Sequence, residues 1–414
     1  MNAEYDVVIA GGGPGGAVSS ARLAQLGRRV LVLEKEHFPR FHLGESLLPQ
    51  SMPILKAIGV FDAVAERFIV KRGANFHESA TGRTSRYAFA DAFDKSVGSA
   101  FQVPRDEFDE LLLRHAERAG AEVREGWTVT RTLEETRDGR TFACGVEAKG
   151  PDGARVEIPA RFVIDATGRD AMTAHRGRRT ERVPRLDQTA LYTHFKGAYR
   201  DAGEREGDIQ IVVFDPGWFW FIPFKDGRTS VGAVVNADWM RASRNGRDVE
   251  ALFWKAVRES AVATRFLEGA EMLMPVAAAA DFSYRVDTLV GDGWMLVGDA
   301  GGFLDPLFST GAHLAMTGGL RGADAIDGAL RANDVRREAF AEWEAYVRKG
   351  ASLFLGAVQA FYDGKLQPFL FADKPHPFLR HAITSMLSGD VFEGDERWQR
   401  EMRSRFPAVW SAEA

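Results

Sequence analysis

The chain has 414 residues, of which 45% are hydrophobic and 27% are charged, and its formal net charge is −5. This composition is typical of a folded protein with large cores, and it excludes a whole-molecule basic bias toward nucleic acid. The single cysteine, Cys144, rules out an internal disulfide and favours a reducing compartment. No apolar run approaches the roughly 18 residues of a membrane span, and the polar N-terminus lacks a signal-peptide pattern. We therefore expect a cytoplasmic protein that does not contact membranes.

The first predicted unit is a strand, a glycine turn, a helix over residues 15–26 and a second strand that ends at Glu34. The first strand, Tyr5–Ala10, is an apolar run typical of a strand buried on both faces. Three glycines follow it with the spacing G-x-G-x-x-G: Gly11, Gly13 and Gly16. They permit a tight turn, the approach of backbone to a pyrophosphate and close helix packing, while free amides at the helix start bind the anion. An acid at Glu34 would bind a ribose hydroxyl, which favours FAD or NAD over NADP.

Three later segments favour FAD. Residues 103–123 predict an amphipathic helix with Arg105 at its start, and residues 162–168 predict a buried strand. The third segment predicts a strand that breaks at Asp299 and a helix from about Gly311. A fold assembled from such distant pieces resembles, over about residues 1–330, the large FAD-dependent family that includes para-hydroxybenzoate hydroxylase.

That resemblance implies specific cofactor contacts. It places an aspartate on the ribityl chain, matched here by Asp299, and an arginine facing the flavin, matched by Arg105. Arg40, Ser46 and Gly311 are assigned to the cofactor site with them. The structural alternative for Asp299 is a side chain that caps a turn.

The predicted fold class is α/β. A Rossmann-like FAD-binding domain is expected over residues 1–80, 100–182 and 276–334, with an inserted antiparallel β-sheet substrate domain over residues 81–99 and 183–275. Residues 335–414 have a helical pattern. This C-terminal region either closes a substrate cavity, recognises a carrier protein or simply packs.

Residues 208–235 predict three consecutive strands, the last two joined by a hairpin at Asp226–Gly227. The middle strand contains the stretch WFWFIP, in which alternate side chains share a face. One face carries Trp218, Trp220 and Ile222. Pro223 cannot donate to a ladder, so it marks an edge or the end of the strand. Ordinary sheet core is one interpretation, because aromatic residues favour strands. The spacing W-x-W-x-I-P also matches the signature of flavin-dependent halogenases, in which this strand lies beside the flavin and is thought to hinder hydroxylation.

A second motif, FLDPLFSTG over residues 303–311, has the spacing F-x-x-P-x-x-S-x-G. It runs into a predicted helix N-terminus, where unpaired amides and the helix dipole attract an anion. A cap by Ser309 or Thr310 is the simple alternative. The motif resembles a further halogenase motif in which chloride lies against a Thr-Gly pair, here Thr310 and Gly311, and Ser309 is assigned to the halide site beside them.

Lys71 lies in VKRGANF, after the GESLLP segment of residues 44–49. A single lysine is usually a solvated surface charge. Its place between two apolar strand-like runs, together with the other two motifs, matches the catalytic lysine of the halogenases.

By these three motifs the chain is identified as a member of the flavin-dependent halogenase family. The resemblance implies that a separate flavin reductase supplies FADH2, which reacts with oxygen to give a flavin C4a-hydroperoxide. Chloride or bromide then attacks it to form hypohalous acid. Lys71 directs the hypohalous acid to an electron-rich aromatic ring, by hydrogen bonding or as a haloamine. A wall beside the flavin and the substrate excludes water. The predicted wall comprises Trp218, Trp220, Ile222, Pro223, Phe303 and Pro306.

One departure refines the substrate class. Tryptophan halogenases carry a glutamate just before the Ser-Thr-Gly, where this chain has Phe308. The sequence looks more similar to halogenases of phenols or pyrroles, several of which act on substrates tethered to an acyl carrier protein.

Other functions are also considered. A reductase of the geranylgeranyl reductase type and a single-component aromatic hydroxylase share the expected fold, and a non-catalytic flavoprotein would bind a carrier through its C-terminal region. The nine histidines show no zinc-ligand spacing, so we expect no metal site. His313, just inside the helix after the halide motif, either contacts substrate or packs.

Overall fold

The computed structural model describes residues 4–170, 180–184, 186–244, 248–280, 283–393 and 396–409. The strands in chain order are β1 (Tyr5–Ala10), β2 (Val30–Glu34), β3 (Ile69–Lys71), β4 (Gly73–Glu78), β5 (Thr84–Ala88), β6 (Ala100–Gln102), β7 (Glu122–Glu125), β8 (Thr128–Arg137), β9 (Arg140–Lys149), β10 (Arg155–Asp165), β11 (Thr180–Arg182), β12 (Gln188–Lys196), β13 (Ile209–Phe214), β14 (Gly217–Pro223), β15 (Arg228–Asn236), β16 (Glu271–Met272), β17 (Ala277–Ala280), β18 (Tyr284–Val286), β19 (Val290–Gly291), β20 (Trp294–Leu296) and β21 (Gly302–Phe303).

The α-helices are α1 (Pro14–Gln25), α2 (Met52–Ile58), α3 (Phe61–Arg67), α4 (Arg105–Arg118), α5 (Ala237–Arg244), α6 (Val249–Arg258), α7 (Ala261–Phe266), α8 (Thr310–Ala332), α9 (Ala341–Tyr362), α10 (Gln367–Leu370), α11 (Pro377–Leu387) and α12 (Arg397–Arg405). Short 3₁₀ turns occupy Pro49–Ser51, Phe89–Asp91, Gly168–Asp170, Gly203–Arg205, Gly298–Ala300 and Arg337–Phe340.

The first sheet has the strand order β19-β20-β10-β1-β2-β7, and the β8–β9 hairpin continues from β10. From β20 to β7 all neighbouring strands are parallel. The two faces of the sheet lie in different cores, one shared with α1, α4 and α8 and the other with β9. Strands covered on both faces need continuous apolar sequence, which explains the runs in β1 and β2. The expected Rossmann-like unit is confirmed.

The elements of this unit begin close to the predicted positions. Helix α1 begins at Pro14 and α8 at Thr310, one residue earlier than predicted in each case. Helix α4 begins at Arg105 but ends at Arg118, so the last two residues of the predicted helix, 122 and 123, belong to β7 instead. The reason is that Leu31–Glu34 of β2 needs a parallel neighbour, which β7 supplies.

The second sheet has the order β16-β12-β15-β14-β13-β4-β5, with β17 also paired to β12. It contains the three predicted consecutive strands β13, β14 and β15, and Gly227 in the connecting hairpin has a φ of +92°. All its pairs are antiparallel except β4 with β13, which is parallel. Strand β14 lies inside the sheet with Pro223 as its last residue, so the proline marks the end of a strand rather than an edge.

Two strands belong to a different sheet from the one that the predicted domain boundaries assign to them. Strands β4 and β17 fall in the stretches assigned to the FAD-binding domain, yet they pair with β13 and β12 of the second sheet. The burial of Phe76 of β4 in one core with Trp218 accounts for the first difference. The predicted boundaries at residues 80/81 and 275/276 therefore do not follow the strand pairing.

The C-terminal helices cover one face of the second sheet. Trp218, Trp220 and Ile222 share a core with α9, α11 and α12, whereas Phe219 and Phe221 face the opposite core with α6 and α7. The predicted alternation along β14 is confirmed. No helix among the described residues is long and apolar enough to cross a membrane.

Candidate functional site

The glycine turn between β1 and α1 is built from backbone contacts. Gly11 has a φ of +100°, and a Cβ added there would lie 2.3 Å from the carbonyl oxygen of Ala166. A Cβ on Gly16 would lie 2.0 Å from the carbonyl oxygen of Gly11. Any side chain at these two positions would push α1 away from the sheet, so both glycines are sterically required.

The open side of this turn faces Arg40. A Cβ on Gly13 would meet only the Arg40 guanidinium, at 3.5 Å. Nη1 of Arg40 lies 3.3 Å from the Asp109 carboxylate, but it is buried without a hydrogen-bond acceptor. Helix α1 has no side-chain cap at Gly13. A cationic group short of an acceptor beside uncapped helix amides fits the pyrophosphate of FAD.

Glu34 is buried at the end of β2. Its Oε2 accepts a hydrogen bond from the Gly12 amide at 2.7 Å, and its Oε1 accepts one from the Glu36 amide at 2.9 Å. The carboxylate is thereby fixed at the edge of the turn, where the adenosine ribose of a dinucleotide would lie.

Arg105 is held on both sides of its guanidinium. It forms a bidentate pair with Asp109, one turn along α4, at 2.7 and 2.9 Å. Its Nη1 donates to the Leu43 carbonyl at 2.6 Å, and a Cβ on Gly44 would lie 2.9 Å from the same atom. The buried arginine thus fixes the segment that leads into GESLLP. Asp109, which sequence reasoning missed, is detectable as the i+4 acid of an arginine.

Asp299 lies in a 3₁₀ turn after β20. Burial raises the pKa of its carboxyl to about 6, while Arg105 and Arg169 oppose that rise. A Cβ on Gly311 would lie 4.0 Å from Oδ1 of Asp299 and 3.1 Å from the Phe303 ring. The fold thus brings three predicted site residues together, Asp299, Gly311 and Phe303.

Lys71 is buried, with 2% of its surface exposed. It ends β3, whose partner is β6, and its Nζ donates to Ser46 Oγ at 2.9 Å and to the Leu47 carbonyl at 3.1 Å. Nζ also lies 5.2 Å from the centroid of the Phe89 ring. Burial lowers the pKa of Lys71 to about 7, and the distant charge of Asp208 only partly opposes this. The amine is therefore partly neutral near physiological pH.

The turn before α8 has an unusual backbone. Ser309 is left-handed, with a φ of +57°, and its amide donates to the Pro306 carbonyl at 3.1 Å. Helix α8 starts at the next residue, Thr310, and Ser309 makes no side-chain cap. The capping alternative for Ser309 is therefore not what the structure has. The first amides of α8, from Thr310 and Gly311, are left for another acceptor, as an anion site requires.

Strand β14, which carries the aromatic stretch, shares a hydrophobic core with this turn. The Trp220 ring lies over Gly232 of β15, where a Cβ would meet it at 2.2 Å, and its Nε1 donates to Ser230 at 3.1 Å. Trp218 and Ile222 share their core with Leu304 and Leu307 of the turn. Trp218, Trp220 and Ile222 of the predicted wall therefore share a core with the F-x-x-P-x-x-S-x-G segment, and the relation of the wall to a flavin stays a prediction.

Two residues missed by sequence reasoning tie this region to α9. The hydroxyl of Tyr362 donates to Oδ2 of Asp305 at 3.0 Å and accepts from Nε1 of Trp218 at 2.9 Å. Asp305 stands inside the motif and was available as a candidate, but nothing in the local pattern links it to Tyr362, 57 residues later.

His313 is packed. Its Nδ1 lies 3.0 Å from Ser51 Oγ and its Nε2 lies 3.1 Å from the Gly389 carbonyl. Burial lowers its pKa to about 4, so the ring is neutral at physiological pH. Both nitrogens have partners, which favours the packing interpretation. No cluster of three metal-ligating side chains occurs within the part of the chain that the structure describes.

These features define an α/β protein with a dinucleotide-type glycine turn, a buried amine and a second helix start that has no side-chain cap. The Tryptophan halogenase family matches residues 6–95 and 80–366, and the chain belongs to this family of flavin-dependent halogenases.

Two curated relatives span nearly the whole chain. The first is a Pseudomonas fluorescens chlorinase of 1H-pyrrole-2-carbonyl peptidyl-carrier protein, 31% identical over 94% of this chain and 90% of the relative. The second is the corresponding Pseudoalteromonas luteoviolacea brominase, 31% identical over 94% of this chain and 93% of the relative. Among solved structures, the flavin-dependent brominase Bmp2 superposes with a TM-score of 0.85 at 28% identity, covering 97% of each chain. The predicted enzyme class and FAD dependence are confirmed.

Proposed function

We propose that this halogenase chlorinates or brominates a phenol or pyrrole ring, and that Lys71 passes the electrophilic halogen to it. The observation that carries the proposal is the fully buried Lys71 amine, whose pKa is lowered to about 7 and which is fixed by Ser46 and Leu47. A lysine without an acidic partner in contact has no evident structural reason to lie in a core.

When bound and reduced, FAD would react with oxygen, and this chemistry would oxidise the halide. The chain's own residues would hold the cofactor: Gly11, Gly13 and Gly16 would admit the pyrophosphate, and the Arg40 guanidinium, which faces the turn beside Gly13, would donate to it. Glu34 lies where the ribose hydroxyls would bind. Arg105, Ser46 and Asp299 are proposed to line the flavin end, since Arg105 fixes the loop that carries Ser46.

Lys71 suits transfer of an electrophile because a neutral amine has a free lone pair. Its Nζ donates two hydrogen bonds, to Ser46 and Leu47, which leave one position on the nitrogen free. Because these bonds hold the nitrogen in place, the free position points in a fixed direction. A partly neutral amine favours a haloamine over simple hydrogen bonding by an ammonium. We therefore expect the halogenation step to become faster as the pH rises through about 7.

The halide is proposed to bind at Ser309, Thr310 and Gly311. Two uncapped amides at the start of a 23-residue helix provide donors and the positive end of a dipole. The indole-bearing strand behind the turn, with Phe303 and Pro306, keeps water from that side of the site.

The proposed partners are a flavin reductase that delivers FADH2 and a carrier protein that presents the ring. The second rests on the two relatives, which are named for pyrrole groups on a peptidyl carrier protein. Phe308, buried where tryptophan halogenases have a glutamate, supports a substrate that needs no carboxylate at that position.

The test is Lys71→Ala, with Lys95→Ala as the matched control because Lys95 is exposed. Each enzyme receives reduced FAD, oxygen and bromide, with either a carrier-bound pyrrole-2-carbonyl group or free phloroglucinol. We expect Lys71→Ala to bind FAD and show halide-dependent flavin reoxidation, but to give no brominated product by mass spectrometry. Product from Lys71→Ala would remove Lys71 from this role. Flavin reoxidation that ignores halide in the unmodified enzyme would instead argue against the halide site.

A further inference from the structure

A buried chain of hydrogen bonds joins three segments that are far apart in sequence. It begins at the indole N–H of Trp218 in β14, passes through the hydroxyl of Tyr362 at the end of α9, and ends on the carboxyl of Asp305. The two bonds measure 2.9 and 3.0 Å. Trp218 is 1% exposed and Asp305 is fully buried, so water does not compete for these bonds at either end.

Asp305 also controls the local backbone. Its Oδ1 accepts the Leu307 amide at 2.9 Å, which closes the first part of the turn, and the Pro306 carbonyl then accepts the Ser309 amide. Ser309 is left in the left-handed region, a conformation that costs a serine free energy and persists only where the surroundings impose it. The very next residues, Thr310 and Gly311, carry the amides of the proposed halide site. The orientation of those amides therefore depends on the position of Asp305.

Among the described residues, no positively charged side chain forms an ion pair with Asp305. Burial raises the pKa of its carboxyl to about 7, while the Leu307 amide and the Tyr362 hydroxyl oppose the rise. Burial and the nearby carboxylate raise the pKa of Tyr362 well above its ordinary value, so its hydroxyl stays a donor. Trp218 fixes the orientation of that hydroxyl by occupying its acceptor position. Within the described part of the chain, the one side chain that donates to Asp305 belongs to α9, so that helix fixes the position of the carboxyl.

We propose that Tyr362 and Asp305 are positioning residues for halide. Helix α9 of the C-terminal region, through this hydrogen-bonded chain, holds the turn whose amides bind the anion. This inference rests on the proposed halide site at Ser309–Gly311 and assigns a role to the C-terminal region. Strand β14 then supports the halide turn in two ways, by the hydrogen bond from Trp218 to Tyr362 and by the packing of its aromatic side chains. Loss of the Tyr362 hydroxyl leaves the ring in the core but frees the turn.

The experiment compares the FAD-loaded full chain with Tyr362→Phe and with Tyr346→Phe. Tyr346 lies on the same helix and also donates one hydrogen bond, to Glu393, away from the turn. Equilibrium chloride binding is measured by chlorine NMR line broadening, and the bromide concentration for half-maximal flavin reoxidation is measured separately. FAD affinity and the melting temperature are recorded for every protein.

For Tyr362→Phe we expect both halide measures to weaken by about tenfold, the equivalent of one buried hydrogen bond. The maximal rate at saturating bromide and the affinity for FAD should stay within about twofold of the unmodified protein. Tyr346→Phe should match the unmodified protein. Asp305→Asn keeps the shape but replaces one carboxyl oxygen by a donor. Measured below pH 7, where the Asp305 carboxyl is mostly uncharged, it should weaken halide binding in the same way.

Unchanged halide affinity in both Tyr362→Phe and Asp305→Asn would overturn the inference. Equal losses of halide and FAD affinity, or equal losses in the Tyr346→Phe control, would also overturn it, because general packing then explains the effect. If the unmodified enzyme binds no halide, the proposed function fails with it. If the unmodified enzyme binds halide and the variants bind it with the same affinity, only the inference is wrong.

Discussion

The helix starts of α1 and α8 are both proposed anion sites, but they are built in different ways. Each is expected to bind an anion on uncapped amides, and neither has a side-chain cap. The turn before α1 is shaped by glycine backbone packed within 2–3 Å of where side-chain atoms would lie. The turn before α8 contains a strained serine, and side chains from β14 and α9 hold it in place. The buried Lys71 belongs with the second kind, because its position is set by Ser46 and Leu47 from another segment.

The difference shows how each site tolerates change. A backbone cradle has no side chain to remove, so it is broken only by adding atoms. A turn held by side chains loses its geometry gradually, as single hydrogen bonds are deleted, and it responds to pH because one of its supports, Asp305, titrates. Breaking each kind of site therefore needs a different type of substitution.

The largest effect is expected from Gly16→Ala, which tests the backbone cradle. A methyl group there would lie 2.0 Å from the Gly11 carbonyl, so α1 must shift. We expect a loss on the order of 4 kcal/mol in stability or the equivalent in FAD affinity. Gly328→Ala is the control, since a Cβ there meets nothing within 4 Å. It should be neutral or slightly stabilising. Normal FAD binding by Gly16→Ala, measured by flavin fluorescence, would show that the turn is looser than its contacts indicate.

A smaller effect is expected from Lys71→Met, which tests the buried amine. The folded pKa of about 7 lies below the ordinary value of 10.5, so the folded chain binds fewer protons than the unfolded chain between these values. Its stability therefore rises with pH across that window and is lowest below it. Proton linkage favours Lys71→Met by about 4 kcal/mol at pH 7, and the loss of the two Nζ hydrogen bonds offsets part of this. The variant should therefore be more stable than the unmodified protein by about 2 to 3 kcal/mol at pH 7, and the difference should shrink toward pH 10. Denaturant unfolding at several pH values measures this, with Lys95→Met as the exposed control. A constant difference across that range would mean that the amine is solvated.

The smallest effect concerns the pH dependence of halide affinity. Burial raises the pKa of Asp305 to about 7, and above that pH its negative charge opposes a bound anion. We expect affinity for bromide to fall by about three- to tenfold as the pH rises through 7. Asp299, near Gly311, has a pKa of about 6 and adds a lower step, whereas His313 stays neutral and Tyr362 stays protonated.

Asp305→Asn should remove the upper step and leave the lower one. Halide titrations of the FAD-loaded protein from pH 5 to 9 would show this directly. An upper step that survives in Asp305→Asn belongs to another group, and the turn would then be less sensitive to Asp305 than its geometry suggests.

The sequence by itself determined the dinucleotide turn and the alternation along β14. Gly11 and Gly16 are required by backbone packing between neighbours in the chain, and Glu34 follows at a fixed distance along a continuous unit. Such requirements involve residues close together in the chain, so the types and spacing of those residues are enough to predict them. The same holds for the aromatic strand, because a period of two assigns each side chain to a face.

Only the tertiary structure decided how the other half of the site is held. The burial of Lys71 depends on β6 and on the segment that carries Ser46, and neither contact follows from the sequence around the lysine. Pairing of β4 and β17 with the second sheet depends on which apolar faces meet, so the predicted boundaries missed it. The bond between Asp305 and Tyr362 joins residues 57 positions apart through the packing of α9. Contacts of that kind arise when separate apolar faces close over polar groups, and no local pattern encodes which partners will meet.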